Sequence, residues 1–505
     1  MPFVPRARAL VLVSVITTFA IALGAGSAIP VPAAGAAESG GSTAPSTGAS
    51  GTSETTGAPS GSATASIAPA GPSGRYNLDG TWLFRLDHGK GLKNRYESST
   101  STAGWARVSV PNAWNAKDQS KASMKGTVAW YRKDFELPAA GAESTWLVRF
   151  ESVNNRVQAW LNGKPIGSHS GAYSPFVLTL PARLLKSGAN HLTLRVDSRR
   201  KAGDFPSVGL WWNYSGILRR VYLEHVDRVG FGNVQVLPKL PCPTCAATVE
   251  YRVGLHNYSS VEQTVSLSST FGTQPVSLGT GTIAPGATRT FTGQTTIAKP
   301  ELWSTESPHL YAVTLSASLN TEGDAEAEQK AVAALQPVAR YSLRTGVRSI
   351  EVTPEGLLML NGRRVDFRGV GLVEDSKTRG AALSEAQETA AVEAVREVGA
   401  TAIRSQYPLD QHIEELADQD GILLWSEIPV DQVSVKAMQS SALRARAVTL
   451  LKQNILANSN HPSIVVWSIA DELAAEPDAA QGEYIATAAA ASHTLDPTRP
   501  VGLAV

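Results

Sequence analysis

Residues 460–472 read NHPSIVVWSIADE. An Asn-His-Pro-Ser opening leads into the apolar run Ile464–Ile469 and ends on two adjacent carboxylates, Asp471 and Glu472. A run apolar on both faces belongs to a parallel sheet covered by helices. Such a strand usually hands over to turn residues such as Gly or Asn. Two neighbouring acids at that exit repel each other unless something there needs them. In (β/α) barrels the reactive groups project from the C-terminal ends of the strands.

Working outward, strand and helix patterns alternate. VDFRGV (365–370) reads as a strand. Ser384 with Gln387 forms a capping box that opens a helix, with Ala391, Val395 and Val398 as its apolar stripe and Gly399 closing it. TAIR (401–404) is a strand. A helix follows Asp410, with Ile413, Leu416 and Ala417 inward, and stops at Gly421. ILLW (422–425) is a strand, and a longer helix carries Leu443, Ala447, Leu451 and Ile455. After IVVWSI (464–469), an Ala-rich helix covers about 478–494, and VGLAV (501–505) begins one more strand. Residues 346–505 are therefore expected to form the first half of a (β/α)8 TIM barrel. Glu374 and Asp375 follow its first strand, Arg404 to Tyr407 the second, Glu427 the third, and Asp471 and Glu472 the fourth. All should converge at one mouth.

Upstream the grammar is β throughout. Between 75 and 228, WYRKDFEL, TWLVRFESV, RVQAWLNGKPIGSH and HLTLRVDS read as strands, with Asn162-Gly163 as a two-residue hairpin signal. A jelly-roll β-sandwich is expected. Between 229 and 345, TVEYRVGLHN, TVSLSSTF, TRTFTGQTTI and LYAVTLSASL recur at intervals that suggest an immunoglobulin-like sandwich. Cys242 and Cys245, in PCPTC, suit a local disulfide staple; a lone CxxC is weak support for zinc or redox chemistry.

Residues 1–36 have the layout of a secretory signal, with Arg6 and Arg8 ahead of an apolar run and small residues after it. The rival is an uncleaved membrane anchor, since the run nears the ~18 residues at which a span can form. Residues 37–74 are almost all Gly, Ser, Thr, Ala and Pro, the composition of a flexible tether. The protein is expected to be secreted or held at the cell surface. The formal net charge of +1 gives no field that would steer it to nucleic acid or anionic membrane. The 11 Trp residues matter more, because exposed indole faces suit sugar rings.

Carboxylates converging with Trp suit glycoside hydrolysis: one carboxylic acid protonates the leaving oxygen, while a second attacks the anomeric carbon or activates water. The acid must keep its proton near neutral pH, which an apolar wall and a neighbouring negative charge promote. There is no HExxH and no GxSxG, so metal and serine hydrolases find no support. No cofactor or metal is expected.

At these residues the chain resembles glycoside hydrolase family 2, which includes β-galactosidases, β-glucuronidases and β-mannosidases. NHPSIVVWSIADE is similar to the family's acid/base signature, and IRSQYPLDQHIEELADQDGILLWSEIP (403–429) to its other signature. ELWSTESPHLY (301–311) resembles the end of its immunoglobulin-like domain. LDGTWLFRLD, VAWYRKDFEL and GLWWNYSGILRRVYLE resemble its sugar-binding domain. The resemblance runs from about 76 to 505. It implies a retaining β-glycosidase with Glu472 as general acid/base, Asp471 in place of the Asn that holds the sugar 2-hydroxyl, and Arg404 as a substrate-site arginine. Glu374 and Asp375 match the segment after the first strand, and Tyr407 and Glu427 complete the expected substrate contacts.

Four departures accompany the resemblance. Asp471 replaces the family's Asn, so an amide donor is lost and a charge gained. Val373 stands where the family often has His, and Gln406 where it has the His of His-Tyr-Pro. The family's nucleophile Glu follows a later strand and has no counterpart before Val505. Several readings stay open: a piece of a longer enzyme, a truncated inactive homologue, or a non-catalytic carbohydrate-binding protein using its β domains, with Trp211 and Trp212 as candidates. Glu374 or Glu427 in the nucleophile's role is a fourth. The sequence names neither sugar nor oligomeric state.

Overall fold

The computed structural model describes residues 70–118, 120–137, 144–206, 212–320 and 337–505. The expected signal or anchor segment, the tether up to 69, and Trp211 lie outside them. Among the described residues no helix is long and apolar enough to cross a membrane.

The first β domain packs two antiparallel sheets face to face. In the six-stranded sheet Lys164–Ser170, Arg156–Leu161, Asn190–Asp197, Val128–Phe135, Gly80–Leu86 and Ala106–Val110 lie in that order. The four-stranded sheet orders Phe176–Leu180, Thr145–Phe150, Val221–Val226 and Arg75–Asn77. Alternate residues of each strand face inward, so Trp82, Tyr131, Phe150 and Leu192 form one buried core. The Asn162-Gly163 hairpin forms as expected, with φ of 51° and 80°, the left-handed pair that fits the twist of its flanking strands.

The second β domain sets a five-stranded sheet against three long strands, Val229–Lys239, Ala247–Asn257 and Thr288–Ile297. Its core runs through Val253, Leu267, Phe271, Val313 and Leu315. Gln274–Ile283, which the sequence reading passed over, is a strand of the larger sheet. The expected tether also ends earlier than Gly74: Gly71–Pro72 pairs with Tyr341 and Ser342 at that sheet's edge. Cys242 and Cys245 are joined by a disulfide.

The third domain is a parallel sheet in sequential order: Gly369–Gly371, Ala402–Ser405, Leu423–Glu427, Ile464–Ser468 and Val501–Gly502. Helices Glu385–Glu397, Gln411–Asp420, Ser441–Asn458 and Ala479–Leu495 connect them. The Ser384/Gln387 capping box is present, and Leu443, Ala447, Leu451 and Ile455 are buried as a stripe. Two expectations need correcting. The first strand is confined to Gly369–Gly371, since Val365–Arg368 leaves the ladder. The helix after Ser384 buries Glu388, Val392 and Val395, while Val398 is 72 % exposed. The face rotates because Glu388 turns toward Arg220 of the first domain, 3.6 Å away.

Candidate active site

The exits of the second, third and fourth strands meet at Arg404, Glu427 and Asp471. Arg404 Nη2 lies 2.5 Å from Asp471 Oδ1 and 3.1 Å from Glu427 Oε2. Glu427 is the last residue of its strand and fully buried. Its Oε2 also accepts from Ser468 Oγ at 2.7 Å, because parallel register sets Glu427 beside Ser468. Its Oε1 is buried with no hydrogen-bond partner among the described residues. Burial, against the pull of Arg404 and with the repulsion of Asp471, pushes the Glu427 carboxyl up to about 7.

Asp471 is buried and held on both sides. Its backbone N–H donates to Val430 O at 2.9 Å, and its Oδ2 accepts from Gln406 Nε2 at 2.6 Å. Gln406 was noted in the sequence only as a departure. Strand alternation gives the missing signal: residues two apart share a face, so Gln406 follows Arg404 toward Asp471. Glu472, the next residue, is exposed and has φ of 50°. That left-handed conformation is uncommon for a residue other than Gly, Asn or Asp, and strained positions of this kind gather at functional sites.

The other expected site residues go elsewhere. Glu374 is buried and takes Arg219 Nη2 at 2.6 Å, an ion pair that joins the first β domain to the parallel sheet. Tyr407 stacks on Tyr173 of that domain, centroids 4.3 Å apart, and its hydroxyl accepts from Glu374 N at 2.7 Å. Both residues sit in a domain joint rather than with Arg404 and Glu427. Asp375 is exposed and accepts from Tyr214 Oη at 2.7 Å. Tyr214 lies over Gly380, where an added Cβ would come 2.3 Å from the ring. Tyr214 thus reaches the loop after the first strand.

Among the described residues one carboxylate trio, Glu374, Glu388 and Asp410, brings oxygens within 4.8 Å of one another. Arg219 and Arg220 already lie among them, at 2.6 Å from Glu374 and 3.6 Å from Glu388 respectively. Burial holds the Glu388 carboxyl well above the usual carboxylate range, which leaves Glu374 and Asp410 to be matched by the two guanidinium groups, so the trio reads as the electrostatic part of the joint.

The Asn-His-Pro-Ser opening also works as a joint. Asn460 accepts from Val236 N and donates to Val234 O, each at 2.8 Å, clamping the second β domain. His461 Nδ1 is 2.6 Å from Asp418 Oδ2, and Asp418 O accepts from Trp303 Nε1 at 2.7 Å. The motif thus fixes the start of the fourth strand while that strand's far end carries Asp471 and Glu472.

The model for glycosyl hydrolases family 2, sugar binding domain, matches residues 76–227; that for glycosyl hydrolases family 2 matches 232–332; and that for its TIM barrel domain matches 350–504. The chain belongs to glycosyl hydrolase family 2. The chain is similar to a beta-glucuronidase from Bacteroides fragilis, 27 % identical over 84 % of this chain and 60 % of the relative. A beta-galactosidase from Bacteroides ovatus is 24 % identical over 80 % of this chain and 47 % of its own length. In fold, the chain is similar to the crystal structure of a Bacteroides uniformis beta-glucuronidase, with a TM-score of 0.72 and 23 % identity over 85 % of this chain and 52 % of that one. The chain therefore spans about half to three fifths of the length of these relatives.

Proposed function

We propose that this family 2 protein is an exported β-glycosidase that cleaves O-glycosyl bonds of the β-galactoside or β-glucuronide type with retention of configuration. The observation that carries the reading is the Arg404–Glu427–Asp471 cluster at three successive strand exits, with Glu472 beside it on an exposed, strained turn. In this reading Glu472 gives its proton to the leaving oxygen and later takes one from water. Arg404, held by Asp471, faces the sugar hydroxyls. Glu427, poised near neutral pH by burial, holds or releases a proton beside them. The five-stranded parallel sheet is read as part of a (β/α)8 barrel and the first sandwich as a jelly roll. The N-terminal segment is read as the export signal or anchor, with carbohydrate as the partner.

The test is turnover of a panel of aryl β-glycosides by the product of the intact gene. Glu472→Gln is expected to abolish cleavage of glycosides with poor leaving groups, about 10²-fold or more, while leaving binding intact. Unchanged turnover in that variant removes Glu472 from the acid/base role. A second reading, sugar binding without catalysis, is favoured by the charge on Asp471, which occupies Arg404 where an amide would leave it to the substrate. Binding of glycosides without cleavage of any of them selects it.

A further inference from the structure

The end of the parallel sheet opposite Arg404 holds a second cavity, of about 590 Å³. That volume lies in the range of small-molecule sites. Arg368 and Thr401 line it just ahead of the first and second strands, and Leu423 lines it at the start of the third. The facing wall comes from the second β domain, with the hydroxyl residues Ser304, Thr305 and Ser307. Leu302, Leu360 and Val365 add apolar surface beside Leu423.

Charge is the unusual feature. Arg363, Arg364 and Arg368 fall within six positions and all line the cavity, against two carboxylates, Glu306 and Asp366. Arg363 acts electrostatically on Glu306. Arg364 and Arg368 form no ion pair among the described residues, and both are exposed toward solvent. Glu306 and Asp366 offset part of this charge, and the lining keeps an excess of one guanidinium over its carboxylates. The Cys242–Cys245 loop closes one side: Pro243 lines the cavity, and its Cγ would lie 3.1 Å from a Cβ added at Gly362. The staple noted in the sequence therefore fixes a wall of this cavity.

We propose that this cavity binds an acidic saccharide, separate from the candidate active site at the other end of the strands. Arg364 and Arg368 hold the oxyanion through charge-assisted hydrogen bonds, which suit carboxylate and sulfate geometry. The Ser307 hydroxyl, together with Glu306 and the Ser304 and Thr305 side chains hydrogen-bonded to it, meets ring hydroxyls, and the apolar surface takes the C–H face of the ring. One compact ligand carries all three features, whereas a bare inorganic anion uses only the first.

The test is calorimetric titration of the full chain with digalacturonate, galactose 6-sulfate, galactose and sodium phosphate. Binding of one or both acidic sugars is expected, with the two arms separating carboxylate from sulfate as the oxyanion source, and weaker or no binding of galactose and phosphate. The double variant Arg364→Ala/Arg368→Ala is expected to weaken that binding about ten-fold or more, in the wild-type and in the Arg404→Ala background alike. Both arginines are exposed, so the double variant keeps its unfolding midpoint. Phosphate binding as tight as the acidic sugars overturns the saccharide assignment. Loss of binding in Arg404→Ala instead of the double variant, or no binding of any probe, overturns the site.

Discussion

The guanidinium of Arg404 is 2.5 Å from Asp471 and 3.1 Å from Glu427, so one cation bridges two carboxylates at successive strand exits. Asp471 takes the shorter contact and adds Gln406 on its far side. Asp471 is thus the anchor of the cluster.

Replacing that anchor should move the Glu427 titration. Burial raises the Glu427 carboxyl to about 7, Arg404 opposes, and Asp471 adds to the rise. In Asp471→Asn the repulsion is gone and Arg404 turns fully to Glu427, so Glu427 should lose its proton at lower pH. Because the folded carboxyl binds its proton more tightly than the unfolded one, its contribution to stability falls as pH rises from about 4.5 through about 7. That fall should end at lower pH in the variant. Denaturant unfolding from pH 4 to 8, each curve taken relative to Glu427→Gln, measures it; superimposable curves would refute the coupling.

His461 should remain an imidazolium at neutral pH. Burial opposes its charge, but Asp418 above all, then Glu414 and Glu415, hold it up to about 9. A histidine whose folded pKa is raised stabilises fully below about 6.5 and loses that contribution as pH rises through the folded value. Glu414, raised by burial to about 8 and drawn down by His461, loses its contribution between about 4.5 and 8, so it overlaps only the lower part of the histidine's range. The expected result is a melting temperature that falls between pH 6.5 and 9.5 in the wild type and falls less in His461→Gln. A ring-proton titration below pH 7 would contradict it.

Asn460 makes two buried hydrogen bonds to the backbone of Val234 and Val236. Asn460→Ala leaves a carbonyl and an N–H without partners, at about 1–3 kcal/mol for each. A lowered unfolding midpoint is expected, together with faster amide exchange along Val229–Lys239. Exchange unchanged in that strand would show that the clamp is dispensable.

Arg219 ties two domains through Glu374 at 2.6 Å and Pro408 O at 2.7 Å, with Asp410 at 3.7 Å. Arg219→Ala strands the buried Glu374 carboxylate and leaves Asp410 to Arg220 alone, a change that costs about 3–5 kcal/mol. Arg219→Lys should recover only part of this, because an ammonium cannot span both partners in the guanidinium plane. Urea unfolding of the two variants decides it; full recovery by Lys would mean that charge alone matters.

Arg404, Glu427 and Asp471 were placed together by strand ends alone, since parallel strands in sequential order bring their exits to one edge. Helix caps were equally legible: Ser384, Asp410 and Gly421 act within a turn of themselves. Glu374 and Tyr407 were assigned to the same mouth by the same logic, and there the logic fell short. Their partners, Arg219 and Tyr173, lie 155 and 234 positions away in another domain, and no local pattern announces a charge that distant.

The sequence by itself determined the domain order, the strand and helix alternation and the identity of the acids at each exit, because periodicity and capping are properties of neighbours along the chain. Only the tertiary structure decided which of those acids face each other. It bound Asp471 to Arg404 and Gln406, sank Glu427 until its proton is held near neutral pH, and drew Glu374 into the joint with Arg219. Burial and Coulomb interaction depend on distance in space, and that distance is set by how the three domains pack.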